Sequence, residues 1–225
     1  MPLLYGPTVE NLYTTLAKMG ETIVSRFEIP PMDTSVKSED IQINGNYKVR
    51  VYHPPGATGN DHLGLYLHGG GWTLGDLDIE DALCRLVSKT VNMVLVSVDY
   101  RLAPKHKYPA ALDDCVHAFE WAIANASKLG VRDTKVTIIG GSAGANLALG
   151  SALRLIDEGK GAPISGVIAQ VPATIHPDAV PASLREKYIS MEENADLSLA
   201  TRSSMLAFWS EFTLSVLLPV KVGLS

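Results

Sequence analysis

Residues 135–148 read Lys-Val-Thr-Ile-Ile-Gly-Gly-Ser-Ala-Gly-Ala-Asn-Leu-Ala. A short apolar run, two glycines and a stretch of helix formers predict a buried strand, a tight turn and a helix. Ser142 stands at the turn in the pattern Gly140-x-Ser142-x-Gly144. A nucleophile raised on a sharp strand-to-helix bend needs small neighbours, because backbone crowds it from both sides. The helix that follows would also direct free N–H groups and positive dipole at an oxygen becoming negative during acyl transfer. Five residues of this kind occur by chance in loops. The apolar strand before them and the helical run 143–156 after them make Ser142 a candidate nucleophile.

The same rhythm extends outwards. Residues 63–67 read as a short apolar strand, 93–98 and 167–171 as buried strands, and 78–90 and 109–129 as helices. Pro109 suits a first helical turn and Gly130 a C-terminal stop. Apolar strands separated by helices predict an α/β fold with a mostly parallel sheet covered on both faces. Upstream, 35–43 and 47–51 alternate around Asn44-Gly45-Asn46, which predicts an antiparallel hairpin. Leu12, Leu16, Met19, Ile23 and Val24 recur at helical spacing, so one or two helices are expected within 8–28. After Pro172 the pattern stops. Residues 173–200 are polar and loop-like, 199–212 predict a helix carrying Met205, Leu206, Phe208 and Trp209, and 213–225 are apolar and cut by Pro219.

Composition narrows the function. A chain of 225 residues fits one domain, 1–225. Its net charge of −5, with no long run of either sign, argues against nucleic acid, which needs a basic face. Charge or proline breaks the apolar runs short of the ~20 residues that a membrane helix requires. The opening Met1-Pro-Leu-Leu-Tyr-Gly-Pro lacks a basic head and an apolar core, so no signal peptide and a cytoplasmic location are expected. Cys84 and Cys115 match no metal spacing and read as buried thiols in helices; no metal and no cofactor are expected. Asn125-Ala-Ser127 has the form of a glycosylation acceptor, but it falls in a predicted helix and reads as a chance match.

The strand 63–67 runs directly into His68-Gly69-Gly70-Gly71-Trp72. Three glycines leave backbone N–H groups bare, so an oxyanion can approach them within hydrogen-bond distance; this is the usual second half of the oxyanion hole beside a serine nucleophile. Together with Asp99-Tyr-Arg-Leu-Ala-Pro104, Tyr108-Pro-Ala-Ala-Leu-Asp-Asp114 and Gly140-Gly-Ser-Ala-Gly144, this stretch resembles the hormone-sensitive-lipase-like branch of the α/β-hydrolases. It is most similar to fungal carboxylesterases of that branch, some of which cleave acetyl esters in polyketide pathways. The four motifs cover about residues 35–171. The resemblance implies an α/β-hydrolase fold, a small-molecule ester substrate and Ser142 as nucleophile. It implies an oxyanion hole from the N–H groups of Gly69, Gly70 and Ala143, with His68 and Gly71 supporting that loop and His68 not acting as base. It also implies a cap built from residues 1–30 and 173–212. Asp99, Arg101, Asp113 and Asp114 are expected to brace loops.

Departures from the family are mild at Gly141, Ala145 and Lys105, none of which is a catalytic position. One is serious. In the family an acid and then a histidine follow the serine, on loops after the last two strands, and on family spacing both would fall past residue 225. The chain is therefore expected to be C-terminally truncated, with the last strands missing and an apolar sheet edge open to self-association. The tail 214–222 is a candidate cover for that edge. His176 is the only histidine after Ser142, with Asp178 and Asp196 nearby, and is the candidate surrogate base; a solvent-exposed loop histidine is the alternative. His53, His62, His106 and His117 read as surface residues. The expected function is a serine carboxylesterase, an acetyl esterase of fungal secondary metabolism being the sharper form. The alternatives are a catalytically dead remnant or binding protein, and an amidase or lactonase on the same scaffold.

Overall fold

Asn44 and Gly45, both with positive φ (52° and 71°), turn the chain between the first two strands of the sheet. A side chain with a short polar group and a residue with none are the two that tolerate this region. The computed structural model describes residues 8–26, 28, 31–56, 62–195 and 201–213. The chain divides into two compact units, Met1–Ile29 with Thr174–Ser225, and Pro30–Ala173. The first unit opens with one helix, α1 (Val9–Arg26), where one or two were expected.

The second unit is a six-stranded sheet with helices. Its elements run β1 (Lys37–Ile43), β2 (Tyr47–His53), β3 (Leu63–Leu67), α2 (Asp81–Thr90), β4 (Val94–Asp99), α3 (Ala110–Ala124), β5 (Val136–Gly141), α4 (Ala143–Asp157) and β6 (Ile164–Gln170). The strand order is β1-β2-β4-β3-β5-β6. β1 pairs with β2 and β2 with β4 antiparallel, and the other pairs are parallel. The central strands β3 and β4 are buried on both faces, which explains their largely apolar sequence. Cys84 of α2 packs on Tyr52, Tyr66 and Leu95 on one face. Alternation directs Leu65, Leu67, Val96 and Val98, none more than 0% exposed, to the other. Cys84 and Cys115 are buried free thiols, and burial pushes the Cys84 thiol up to about 12.

Several boundaries differ from the sequence reading, and at two of them the local reason is visible. α2 begins at Asp81 and not at residue 78, because the Asp76 carboxylate accepts from the N–H groups of Asp78 and Ile79 and holds a turn there. α3 stops at Ala124, not 129. The Asn125 side-chain amide donates to Trp121 O, and the chain turns through 125–130 to Gly130, whose φ is 77°. Asn125-Ala-Ser127 thus lies in a turn after the helix. β6 spans Ile164–Gln170 where a strand over 167–171 was expected.

In the first unit, the polar stretch after 173 forms two short 3-10 turns, Pro177–Ala179 and Ala182–Lys187, and α5 (Ser190–Glu193). α6 (Arg202–Phe212) follows, its first turn capped by Thr201 Oγ1 accepting from Ser204 N. Phe208, Trp209 and Phe212 are buried, and α6 contacts α1. The apolar tail 214–222 and Asp196 lie outside the described residues. Among the described residues no helix is long and apolar enough to cross a membrane, and no cluster of three or more His, Cys, Asp or Glu is arranged to hold a metal.

Candidate active site

Ser142 occupies the junction between β5 and α4 with φ 53° and ψ −116°. A non-glycine residue in that region is strained, on the order of 1–3 kcal/mol, and persists only where its surroundings enforce it. Here they do. Ser142 N donates to Gln170 O at the end of β6 (2.9 Å), and Ser142 O accepts from Asn146 N in the first turn of α4 (3.1 Å). The flanking glycines are there because backbone occupies the space. A Cβ on Gly140 would run into the Gly144 carbonyl, and one on Gly144 into the carbonyls of Leu67 and His68. A Cβ on Gly141 would meet nothing within 4 Å, so this departure from the family reflects no steric demand. Ser142 is half-buried, and Ala143, the first residue of α4, is buried. At a helix start the leading N–H groups have no intrahelical acceptor.

The triple-glycine loop faces this junction. A Cβ placed on Gly69 would lie 3.7 Å from Ser142 Cβ and 3.3 Å from Gly141 O. The loop folds back on itself, since Gly70 O accepts from Thr73 N (3.2 Å) and Leu74 N (2.9 Å). Gly70 and Gly71 have positive φ (122° and 60°), and a Cβ on Gly70 would strike the Leu74 carbonyl. Only glycine fits there without displacing backbone. Trp72 also has positive φ (61°) and is fully buried.

His68 sits beneath the loop, stacked on the Tyr100 ring at 4.2 Å between centroids. Its Nδ1 lies 2.7 Å from Gly69 O, and its own carbonyl accepts from the Tyr100 hydroxyl (2.7 Å). Burial holds the imidazole below its ordinary pKa, against the opposing pull of the Gly69 carbonyl and the charges of Glu80, Asp99 and Asp76. The remaining motifs brace the loop from outside. Asp114 on α3 accepts from Arg101 N (2.9 Å) and from the Arg101 guanidinium (Nη2, 2.8 Å). Two residues on, Ala103 N donates to Trp72 O (2.9 Å). Asp113 pairs with Arg154 of α4. The structure therefore brings Ser142, Gly69, Gly70, Gly71, Ala143 and His68 into one corner of the sheet unit.

Glu80 is a neighbour that the sequence did not single out. Its Oε1 lies 3.7 Å from the Gly69 Cβ position, the same distance from that point as Ser142 Cβ. The Tyr66 hydroxyl hydrogen-bonds its carboxylate, which raises the Tyr66 phenol along with burial, the larger cause. No motif marks Glu80, because the proximity arises from the turn before α2.

His176 belongs to the other unit. It caps the 3-10 turn Pro177–Ala179, its Nδ1 accepting from Asp178 N (3.1 Å), and its ring packs edge-on against Trp209. The side chain is half-buried, not a solvated loop histidine. Accepting at Nδ1 leaves the proton on Nε2, the reverse of the tautomer that takes a proton from serine. Of the other histidines, His62 is exposed, and His117 is half-buried with its Nδ1 2.8 Å from the Tyr47 hydroxyl.

Known proteins resemble this chain in sequence and fold. The chain is 43% identical over 208 residues to a versiconal hemiacetal acetate esterase of Aspergillus parasiticus, covering 92% of this chain and 64% of that protein. It is 46% identical over 201 residues to a protein of Aspergillus terreus named as an FAD-linked oxidoreductase, covering 89% of this chain but 24% of that one. The solved structure of a hyperthermophilic esterase from the archaeon Pyrobaculum calidifontis matches with a TM-score of 0.74 at 31% identity, over 96% of this chain and 66% of that one. The chain thus spans less than two thirds of each relative's length. A family model described as alpha/beta hydrolase fold matches residues 64–217. The chain belongs to the alpha/beta hydrolase fold family, in its hormone-sensitive-lipase-like branch.

Proposed function

We propose that this protein is a carboxylic-ester hydrolase in which Ser142 is the nucleophile. The observation that carries the reading is the strained Ser142 turn with Gly69 packed against it. In the proposed reaction Ser142 Oγ attacks the ester carbonyl. The tetrahedral oxygen is held by the N–H groups of Gly69, Gly70 and Ala143, the alcohol leaves, and water releases the acid. His68 supports the loop and stays out of the proton transfers. His176 would have to give up the Asp178 N–H before serving as base, so Ser142→Ala and His176→Ala are informative as a pair. The name of the Aspergillus parasiticus relative, an acetate esterase, supports a small acyl group such as acetate, and with it a place in fungal secondary metabolism, as the sharper form of the reading. The expected cytoplasmic location and the cap assignment of residues 1–30 and 173–212 belong to the same proposal, as does self-association through β6. Among the described residues β6 is paired on one side, with Ile168 and Val171 exposed.

A fluorophosphonate probe tests it. Covalent labelling at Ser142 that disappears in Ser142→Ala supports the hydrolase, and no labelling supports a binding protein on the same scaffold. Light scattering over a concentration series tests association, and a constant monomer mass removes it.

A further inference from the structure

The His68 ring is 1% exposed, and its Nδ1 faces Gly69 O at 2.7 Å. A carbonyl only accepts, so the proton sits on Nδ1 and Nε2 is a bare acceptor. That Nε2 is buried and has no protein partner. Glu80 Oε2 is also buried and without a protein partner, although the carboxylate bonds the Tyr66 hydroxyl and its Oε1 borders Gly69. Two acceptors on either side of one glycine cannot satisfy each other. A molecule with two donor hydrogens satisfies both, and buried polar groups left over in this way are where ordered water belongs.

We propose that Glu80 is a positioning residue for the triple-glycine loop, sharing with His68 one buried water that donates to Glu80 Oε2 and to His68 Nε2. The inference rests on the ester-hydrolase reading only for what the loop is for. A water donating to Nε2 keeps the proton on Nδ1, and Nδ1–H in turn pins Gly69 O. The Gly69–Gly70 peptide is planar and trans, so a pinned Gly69 C=O aims the Gly70 N–H the opposite way. Glu80 thus sets the direction of a proposed oxyanion donor without touching substrate. Tyr66 fixes the carboxylate from the β3 side, and His68 is held by Tyr100 stacking, so the water would have walls on each side.

The test uses the full chain and the variants Glu80→Leu and Glu80→Gln. A crystal structure of the wild type is expected to show a water within hydrogen-bond distance of both atoms, and nitrogen NMR to show His68 as the Nδ1–H tautomer. Glu80→Leu is expected to lower the maximal rate of fluorophosphonate labelling at Ser142 about tenfold, the equivalent of one lost hydrogen bond, with little change in probe affinity. It should also speed amide exchange at Gly69 and Gly70 by a similar factor. Glu80→Gln, which keeps the side-chain length and still hydrogen-bonds the shared water so that the water donates to Nε2, is expected to stay within about threefold of wild type. A direct Glu80–His68 contact with no water, an Nε2–H tautomer, or unchanged exchange in Glu80→Leu would overturn the proposal. A wild-type protein that takes no probe sinks the hydrolase reading instead, while the water, the tautomer and the exchange rates still decide the role of Glu80. If Glu80→Leu does not fold, the wild-type crystal structure and tautomer decide alone.

Discussion

The sheet unit contains two buried polar regions, and they are finished differently. Beside the β1–β2 hairpin, each guanidinium nitrogen of Arg50 and Arg85 has an acceptor. Arg50 bonds Asp40 through Nε (2.6 Å) and Nη2, and Asp78 and Asp81 through Nη1. Arg85 bonds Asp81 (2.6 Å), Val36 O (2.6 Å) and Ser38 Oγ (2.8 Å). Burial works to raise the Asp81 carboxyl, and the hydrogen bonds from Arg85, Tyr52 and Arg50 outweigh it and hold the group below its usual range. At the triple-glycine corner, by contrast, His68 and Glu80 keep unpartnered atoms, and Ser142 and Trp72 keep left-handed backbone. A region that only holds the fold together can satisfy all of its groups. In the proposed reaction the glycine corner presents bare amides to an oxyanion, a demand under which not every group can be satisfied within the protein.

Substitutions break or sharpen that contrast. The largest effect is expected from Gly144→Ala, because the new methyl meets the backbone carbonyls of β3 and no side chain can move aside. It should destabilise by more than about 4 kcal/mol or leave no soluble protein, as read by denaturant unfolding. Arg85→Ala attacks the satisfied region. It removes the donor to Asp81 Oδ2 and to Val36 O, while Asp81 Oδ1 keeps Arg50 and Tyr52, and should cost about 2 kcal/mol in the same measurement. Gly141→Ala sharpens the comparison from inside the corner. Its methyl meets open space, so stability should stay within about 0.5 kcal/mol even though the residue adjoins Ser142.

The smallest effect lies at the rim of the arginine region. Hydrogen bonds from Lys89 and Ser35 lower the Asp33 carboxyl from 3.8 to about 2. A group whose folded pKa is depressed adds stability above its unfolded value and loses that contribution as pH falls through the folded one. The ion pair should therefore weaken only between pH 3.8 and about 2. A carbon NMR titration checks this, with Lys89→Ala moving the midpoint back towards 3.8.

How much of this could be read in the chain beforehand follows from the range of the forces. Gly140 and Gly70 were legible because their demand for space is set by backbone four residues on, which leaves a fixed local pattern. Gly144 was legible only through the Gly-x-Ser-x-Gly pattern, since the carbonyls that crowd it, those of Leu67 and His68, are distant in sequence. The central strands β3 and β4 were legible because burial on both faces leaves few polar residues in them. The bracing role of Asp114 was expected from its motif, and Arg101 bears it out. Glu80 was not legible, since a lone acid before a helix has many uses and its approach to Gly69 exists only after the turn at Asp76 folds. The early end of α3 was missed for a similar reason, because propensity counts Asn125 as a weak helix former while its side chain competes for Trp121 O.

The bond from Ser142 N to Gln170 O carries a consequence for how tightly chemistry is coupled to assembly of the sheet. That amide is committed to β6, so in the proposed reaction the elbow contributes through the amides that follow it, beginning with Ala143 N–H. A slip of β6 by one residue would reverse its facing side chains and remove the carbonyl that anchors the serine. On the proposed reading of Ser142 as nucleophile, competence at the bend depends on the registration of an outer strand, and agents that loosen that strand should abolish fluorophosphonate labelling before they unfold the interior.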